Sequence, residues 1–293
     1  MQPQLKNVPH LPGTSSFLLR DMIVPYFSNP FHFHPELELT FIVQGSGIRF
    51  VGDNIEYFGS GDMVLVGANL PHRWKNDKVY YELDNDLYSR AIVIQFRENF
   101  LRSDAGELPE MADIRNMLTL AKRGLKIVGA TRQKVAKRMI AMLHQNSIER
   151  IASLLLILSN IAASNEYAVL SGTSIDQSYT RSDTERISRV YAYIMENFTD
   201  EINLQDVAGV ANMSLTAFCR YFKSVTNKTF STFLLETRLN YACKLLLSDS
   251  FNITQVAFRA GFNNLSYFNR QFKKMKGISP LQYKKQFLQA QTY

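Results

Sequence analysis

The sequence predicts an α+β protein of two domains, an N-terminal β-barrel with flanking helices and a C-terminal all-α domain with two helix-turn-helix motifs. The chain has 293 residues, which is enough for two domains with sizeable cores. Short β-type runs dominate residues 31–96, whereas apolar residues at helical spacing dominate residues 184–290. The second region is also basic, with 14 Lys and Arg against 7 Asp and Glu from Thr184 onward.

The first domain, residues 1–105, is expected to form a small barrel. Its β-type runs are short and are separated by Gly, Asn and Asp, as in all-β sandwiches and barrels. Hairpin turns are indicated at residues 45–47 and 52–54. The strand candidates are Ser16–Ile23, Glu38–Gln44, Gly47–Val51, Asn54–Phe58, Asp62–Val66 and Ala91–Phe96.

Residues 106–163 are predicted to be a helical dimerisation segment of the same domain, with helices at 109–123 and 131–163. The second helix has an apolar stripe with a short register break. Packing on the barrel explains part of this stripe, and antiparallel pairing with a second subunit would explain the rest, so we expect a homodimer. The run Ile151–Ile161 is too short to span a bilayer and is interpreted as a buried helix.

The cellular compartment is predicted from what the sequence contains and lacks. Only two cysteines are present, without metal-like spacing, which is typical of a reducing interior. No signal peptide is visible at the N-terminus. We therefore expect a cytoplasmic protein that does not contact a membrane.

Residues 164–183 are predicted to be a linker, because they are rich in Ser and Thr and show no periodicity. The second domain, residues 184–293, follows it. Its first helix is expected to run to Asn197 with Thr184 as its cap. A long helix at Phe230–Leu247 should join the two motifs and fix their separation, and Pro280 should open a closing helix.

Two copies of one helix-turn-helix pattern lie in this domain. In the second copy, a short helix at Ile253–Ala260 precedes Gly261 and a longer helix within Asn263–Gly277, which has a basic outer face. The first copy repeats the apolar core and the charges, with Asn212 and Asn227 in place of the glycines. Asn tolerates the left-handed backbone that these turns require. The alternative is two unrelated amphipathic helix pairs.

The second helix of such a motif can lie in the DNA major groove and contact base edges. The polar candidates for base reading are Thr216, Cys219, Arg220, Ser266, Asn269 and Arg270. Arg can bind guanine and Asn can bind adenine through paired hydrogen bonds, although phosphate contact is the alternative for both arginines. The candidates for phosphate binding are Lys223, Lys273, Lys274 and Lys276.

The distribution of charge indicates the partner. Residues 1–183 hold 19 Lys and Arg and 19 Asp and Glu, so the net charge of +7 lies entirely in the helix-turn-helix region. Positive charge on recognition-type helices attracts nucleic-acid phosphates. Double-stranded DNA is therefore the expected partner, and an architectural or RNA-binding protein without an effector is the alternative.

A second candidate site lies in the barrel region, with the spacing His32-x-His34-x3-Glu38 and a later His72. This pattern resembles the two motifs of the cupin superfamily, β-barrels with a pocket at the mouth, although the second motif departs at two positions. Three imidazoles and a carboxylate could hold Zn, Mn, Fe or Ni. A polar pocket that binds an organic effector without metal is the alternative, and no cofactor is expected. Further candidates for the pocket lining are Arg49, Tyr57 and Trp74.

The run ITQVAFRAGFNNLSYFNRQFKKMKGISPLQYKK resembles the signature of AraC/XylS-type transcription regulators. The matching residues are Ile253, Ala257, Gly261, Phe262, Tyr267, Phe268, Phe272, Lys273, Gly277, Pro280 and Tyr283. The resemblance covers residues 184–290 closely and the barrel more loosely, since these regulators commonly carry a cupin-like effector domain.

The resemblance implies a DNA-binding regulator that usually activates transcription together with RNA polymerase, often at sugar-utilisation genes. We therefore expect a small-molecule effector, a sugar first of all, and no enzyme activity. For Trp74, stacking on a sugar ring and ordinary core packing are both open. A metal-dependent cupin enzyme fused to a DNA-binding module is the alternative.

Overall fold

The computed structural model describes residues 16–82, 85–100, 108–172, 181–226, 228–247 and 251–290. The chain divides into two compact units, and the main boundary falls between Arg181 and Ser182. The first unit contains the strands and the second is helical. The predicted α+β class with two domains is therefore confirmed.

The described part of the first unit contains nine strands. They are β1 Phe17–Val24, β2 Leu37–Gln44, β3 Gly47–Val51, β4 Asn54–Phe58, β5 Met63–Val66, β6 His72–Asn76, β7 Ser89–Phe96, β8 Leu125–Ile127 and β9 Tyr167–Val169. A six-stranded sheet has the order β1-β7-β2-β5-β8-β9, and a three-stranded sheet has the order β4-β3-β6. The barrel predicted from the sequence thus takes the form of two sheets.

The two sheets enclose a core, and β2, β5 and β7 of the larger sheet are largely buried on both faces. Along β2, Leu39 and Phe41 pack with the helices of this unit, whereas Ile42 packs between the two sheets. Because successive side chains of a strand alternate between faces, Glu38 and Thr40 share the inner side with Ile42. A carboxylate and a hydroxyl are thereby placed among apolar walls.

Three helices cover the outer face of the larger sheet: α1 Ala112–Ala121, α2 Gly129–Met142 and α3 Ser147–Ser164. Length and apolar composition alone would allow α3, of the described helices, to cross a membrane. Its inner face is nevertheless part of the core beneath the sheet, through Leu154, Ile157, Leu158 and Ile161. The predicted buried helix is therefore buried on one side.

The prediction of a single helix at 131–163 is wrong, because the chain ends α2 and starts α3 afresh. Asn146 accepts hydrogen bonds from the backbone N–H groups of Ile148 and Glu149, both at 3.1 Å. The Glu149 carboxylate accepts in return from the Asn146 N–H at 2.9 Å. This reciprocal cap gives a new helix start at the register break of the apolar stripe.

The second unit contains seven helices in its described residues. They are α4 Arg181–Asn197, α5 Leu204–Val210, α6 Leu215–Thr226, α7 Phe230–Leu247, α8 Ile253–Arg259, α9 Leu265–Lys276 and α10 Pro280–Ala290. Helix α7 has the predicted bounds, and Pro280 opens α10 as expected. Residue Asn227 lies outside the described residues.

The predicted linker at 164–183 is too long at its N-terminal end. Strand β9 pairs with β8, and Ser171 beyond it is buried and donates a hydrogen bond to Asp53 at 2.5 Å. Residues 173–180 of the predicted linker lie outside the described residues. The next helix begins at Arg181, so Thr184 lies inside it and is not its cap.

Candidate functional site

The second helix-turn-helix motif is fixed by its turn and by one helix cap. Gly261 has φ +85°, and the N–H of Phe262 donates to the carbonyl of Ala257 at 3.0 Å. Asn264 caps the start of α9 by accepting a hydrogen bond from the Tyr267 N–H at 2.8 Å. The direction of α9 relative to α8 is set by these bonds.

The first motif repeats this backbone with different residues. Asn212 has φ +53° where the second motif has glycine. The N–H of Met213 donates to the carbonyl of Ala208 at 3.0 Å, as Phe262 does in the second copy. Asn203 caps α5 by accepting from Gln205 at 2.9 Å. The duplication predicted from the sequence is therefore a duplication of the fold.

The two recognition-type helices, α6 and α9, each bury one face and expose the other. The buried faces carry aromatic rings with no exposed surface: Phe218, Phe222, Phe268 and Phe272. All six candidates for base reading are exposed: Thr216, Cys219, Arg220, Ser266, Asn269 and Arg270. A groove-facing surface of mixed donors and acceptors is the type that reads base edges.

Among the lysines predicted to bind phosphate, Lys223, Lys273 and Lys274 are exposed. Lys276 departs from the prediction, because it is half-buried and its ammonium group donates to Asn240 Oδ1 on α7 at 3.1 Å. The last turn of α9 contacts α7 on one side, and the sequence does not show which of its lysines lies on that side. In this conformation Lys276 ties α9 to α7.

Four side chains of the N-terminal unit converge where the two sheets face each other. The ligand atoms of His32, His34, Glu38 and His72 all lie within 4.8 Å of one another, and all four residues are buried. His32 and His72 form a backbone bridge, with mutual N–H to carbonyl bonds of 3.1 and 2.9 Å. The structure therefore brings together the two histidine motifs that the sequence separates by 40 residues or so.

The three imidazole rings are oriented alike by the backbone. Each Nδ1 lies within hydrogen-bond distance of a carbonyl two residues away, namely Pro30 for His32 (2.9 Å), Glu36 for His34 (3.0 Å) and Leu70 for His72 (2.8 Å). A carbonyl only accepts, so Nδ1 of each ring donates and Nε2 is directed at the cluster, where a neutral ring would offer its lone pair to a cation. Metal-binding histidines are commonly oriented in this way.

The carboxylate of Glu38 is held from two sides. Thr40 Oγ1 donates to Oε1 at 2.7 Å, and Gln95 Nε2 donates to Oε2 at 2.8 Å. His34 Nε2 lies 3.1 Å from Oε2 and His72 Nε2 lies 3.7 Å from it. Sequence reasoning missed Thr40 and Gln95, although alternation along β2 and β7 places both on the inner face.

Burial and mutual charge set the protonation of the cluster. Burial, with His72 beside it, lowers the pKa of His32 to about 3, so this ring is neutral near pH 7. Burial opposes charge on His34, but the hydrogen bond and charge of Glu38 outweigh it and raise the pKa of His34. Burial likewise opposes ionisation of Glu38, yet His72 and His34 outweigh it and hold the Glu38 pKa well below its usual value. An ionised carboxylate among imidazoles attracts cations.

A small cavity opens beside this cluster, with a volume of about 40 Å³. Its lining consists of Met22, Phe27, Asn29, His32, Glu38, Thr40, Ile42, Trp74, Ala91 and Val93. Four predicted candidates lie outside this lining. His34 and His72 belong to the cluster beside it, Arg49 is fully buried in an ion pair with Asp62, and Tyr57 lies on β4. Alternation along β3 does not show that the guanidinium group of Arg49 pairs with the buried carboxylate of Asp62.

Comparison with known proteins gives two domain matches. A helix-turn-helix domain model matches residues 207–286, and a cupin domain model matches residues 22–79. The first match spans both motifs and includes the signature residues between Ile253 and Tyr283. Residues 207–286 are therefore similar to the helix-turn-helix domains of AraC-type transcription regulators, and residues 22–79 are similar to cupin domains.

The relatives of this chain match it over both units. An uncharacterised HTH-type transcriptional regulator of Bacillus subtilis, YdeC, is 24% identical over 272 residues, which cover 87% of this chain and 86% of the relative. The HTH-type transcriptional activator RhaR of Mannheimia succiniciproducens is 24% identical over 262 residues, or 88% of each chain. A crystal structure of a transcriptional regulator from Chromobacterium violaceum, described as having an AraC-type DNA-binding domain, is 23% identical with a TM-score of 0.35, covering 37% of this chain and 96% of that one.

Proposed function

We propose that this regulator binds specific promoter sequences as a homodimer and activates transcription with RNA polymerase when a small-molecule effector, a carbohydrate, occupies the cavity. The exposed faces of α6 and α9 support the first part and carry the proposal. Each offers polar side chains above a fully buried aromatic face. The activator assignment is supported by the relative RhaR, which is named as an activator.

DNA reading is assigned to both helices. The two recognition helices enter successive major grooves on one face of the duplex, about 34 Å apart. Arg220, Asn269 and Arg270 read bases, with Thr216, Cys219 and Ser266 beside them, whereas Lys223, Lys273 and Lys274 hold phosphates. No reaction is catalysed, and the protein works in the cytoplasm.

Effector binding is assigned to the cavity between the sheets. Its mixed wall suits a ligand with polar and apolar faces, since Glu38 and Thr40 line it together with Trp74 and aliphatic side chains. The volume of about 40 Å³ compares with roughly 150 Å³ for a cavity that accepts benzene. A sugar therefore binds at the mouth of the cavity or enters when the cavity walls move. A movement of the walls on binding is the signal that reaches the DNA-binding domain.

The experiment that tests DNA reading uses the full-length protein and fluorescence anisotropy. Labelled fragments of its own promoter region compete with scrambled DNA of equal composition at several salt concentrations. We expect a preference of at least about a thousandfold for one fragment. Equal affinity for promoter and scrambled DNA at every salt concentration would refute sequence-specific regulation. Effector binding is tested on the same protein by thermal shift with a panel of sugars, followed by anisotropy with each sugar that binds.

A second candidate for the same cavity is a divalent metal site, in a metal-dependent sensor or in a cupin enzyme fused to the DNA-binding domain. The shared Nε2 orientation of the three histidines favours it. His32, His34, His72 and Glu38 would hold the ion, which supplies a Lewis acid when bound.

The metal candidate is tested by elemental analysis of protein purified without chelator. A metal content near one ion per chain that is lost in His72→Ala, with unchanged affinity for DNA, supports it. Metal-free protein that also fails to take up Mn²⁺, Ni²⁺ or Zn²⁺ in calorimetry would exclude it. Substrate screening of the metal-loaded protein then separates an enzyme from a sensor.

A further inference from the structure

A buried glutamine completes the cluster that holds the candidate metal site. Gln95 on β7 pairs directly with Glu38 on β2, and the residue is only 8% exposed. Its Nε2 lies 2.8 Å from Glu38 Oε2 and 3.2 Å from His34 Nε2. The amide group thus contacts both Glu38 Oε2 and His34 Nε2, which are themselves 3.1 Å apart.

We propose that Gln95 is a fifth ligand of this metal site. In the metal-free protein its amide N–H groups contact the other ligands, and when an ion is bound its amide oxygen completes the ligand set. This inference rests on the metal form of the proposed function. In the metal-free protein Gln95 Nε2 donates to the Glu38 carboxylate and helps to offset its negative charge. A cation at the cluster takes over that role, and an N–H group directed at a cation is repelled, so the amide turns and presents Oε1.

The state of the amide oxygen agrees with this role. Gln95 Oε1 is buried and has no hydrogen-bond partner in the part of the chain that the structure describes. Leaving a buried amide oxygen unpaired is unfavourable, so the position is expected to have a use that the metal-free arrangement does not satisfy. His72 Nε2, at 3.7 Å from Glu38, is also beyond hydrogen-bond distance and directed at the same cluster.

The number of ligands then decides which metal is preferred. Three imidazoles and one carboxylate alone suit the four-coordinate geometry of Zn²⁺. An added amide oxygen raises the count to five and favours ions that accept more oxygen ligands, such as Mn²⁺. Gln95 therefore sets the preference for Mn²⁺ over Zn²⁺, while the histidines and Glu38 set whether any ion binds.

The test measures the dissociation constants of Mn²⁺ and Zn²⁺ on the full-length protein by isothermal titration calorimetry, for wild type, Gln95→Leu and Gln95→Glu. We expect Gln95→Leu to weaken Mn²⁺ by at least about tenfold and Zn²⁺ far less. Gln95→Glu keeps an oxygen but loses the N–H groups, and it should bind Mn²⁺ at least as tightly as wild type. Gln44→Leu, at the end of β2 and outside the cluster, is the matched control and should change neither constant.

The absorption spectrum of bound Co²⁺ provides a second readout. Loss of a ligand in Gln95→Leu should change the weak bands of a five- or six-coordinate ion into the stronger bands of a four-coordinate one. An unchanged ratio of Mn²⁺ to Zn²⁺ affinity together with an unchanged Co²⁺ spectrum would overturn the proposal. So would a loss of Mn²⁺ binding in Gln95→Glu equal to that in Gln95→Leu, because that result assigns Gln95 the role of an N–H donor that positions Glu38. If wild type itself binds no divalent ion, the metal form of the proposed function fails, and this inference fails with it.

Discussion

Single residues on one helix face are expected to contribute to DNA binding in two different ways. Asn269 and Lys273 lie one turn apart on α9, and both are exposed. A side-chain amide can form paired hydrogen bonds with one base, whereas an ammonium group binds phosphate as a point charge whatever the sequence. The two contributions are separable by measuring base preference and salt dependence together.

We predict that Asn269→Ala relaxes base preference at one operator position by about 1–3 kcal/mol, while Lys273→Ala weakens all sequences alike and reduces the salt slope by about 1. Anisotropy titrations with single-base operator variants at four salt concentrations measure both effects. Lys285→Ala on α10 removes the same charge outside the recognition helices and should leave the base preference as in wild type. A change of base preference in Lys273→Ala would contradict the assignment.

The residues predicted from the sequence are those whose role depends on spacing along a single element. His32, His34 and Glu38 follow from the spacing of one sequence motif, and the exposed sets on α6 and α9 follow from helical periodicity. Gln95, Arg49 and Lys276 depend on a partner far away in sequence, namely Glu38, Asp62 and Asn240. No pattern within one element contains that information.

At the level of elements, the turn of the second motif depends on the backbone of its glycine. Gly261 has φ +85°, and a Cβ there would lie 2.9 Å from the carbonyl oxygens of Phe198 and Thr199. Gly277 also has a positive φ, +78°, but nothing lies within 4 Å of its Cβ position. Gly209 within α5 has neither restriction. Substitutions at the three glycines therefore test different effects: backbone strain with close contact at Gly261, backbone strain alone at Gly277, and helix propensity at Gly209.

We predict that Gly261→Ala lowers the free energy of unfolding by more than about 2 kcal/mol, and that Gly277→Ala lowers it by about 1 kcal/mol. Gly209→Ala should raise it by up to about 1 kcal/mol, because alanine is the better helix former. Urea denaturation of the full-length variants, followed by far-ultraviolet circular dichroism, gives all three values. Equal losses in Gly261→Ala and Gly277→Ala would show that the close approach of residue 261 to the loop after α4 does not affect stability.

The start of α2 gives a pH-dependent prediction. The Glu166 carboxylate accepts from the backbone N–H of Thr131 at 2.7 Å and of Ala130 at 3.4 Å, and hydrogen bonds from Thr131 lower the pKa of Glu166. A lowered folded-state pKa gives stability that is present above the unfolded pKa of about 4.5 and is lost as pH falls through the folded pKa.

Glu166→Gln should therefore lower the melting temperature at pH 7, and its difference from wild type should shrink as pH falls below 4.5. Differential scanning calorimetry between pH 7 and pH 3.5 or so measures this. Glu98→Gln, at an exposed position after β7, is the control and should melt as wild type at each pH. A gap between Glu166→Gln and wild type that stays constant with pH would argue against a charged cap.

Elements with a clear local pattern could be predicted from the sequence, and the three-residue strands could not. Helix α7 and strands β3 and β4 have the predicted bounds. Strands β8 and β9 have three residues each, too few for an alternation to be visible. The two strands pair with each other, residues 125–127 with residues 167–169. Because no local pattern shows this pairing, the predicted linker wrongly included β9.

At the scale of the whole molecule, the proposed homodimer needs a surface on which two chains meet. The outer face of α3 leaves Ile148 71% and Leu156 47% exposed, two turns apart, with exposed Ala152 between them. An apolar stripe of this kind on a helix whose other face is already in the core is suited to a partner helix. This face is where the expected homodimer contact belongs.

We predict that Ile148→Glu together with Leu156→Glu weakens self-association at least about tenfold, since two buried apolar anchors are replaced by charges. Sedimentation equilibrium of the full-length protein gives the dimer constant. Gln133→Glu on the exposed side of α2 adds charge elsewhere and should leave that constant unchanged. Persistence of the dimer in the double variant would move the contact to another surface.

The two cysteines of this chain differ in accessibility, and this gives a practical handle on the recognition surface. Cys219 is exposed on α6, whereas Cys243 is buried in α7. A maleimide dye should therefore label the native protein at one thiol, on the helix assigned to the first half-site, without any engineered cysteine. Operator DNA should shield that thiol from alkylation, so the rate of labelling becomes a footprint seen from the protein side.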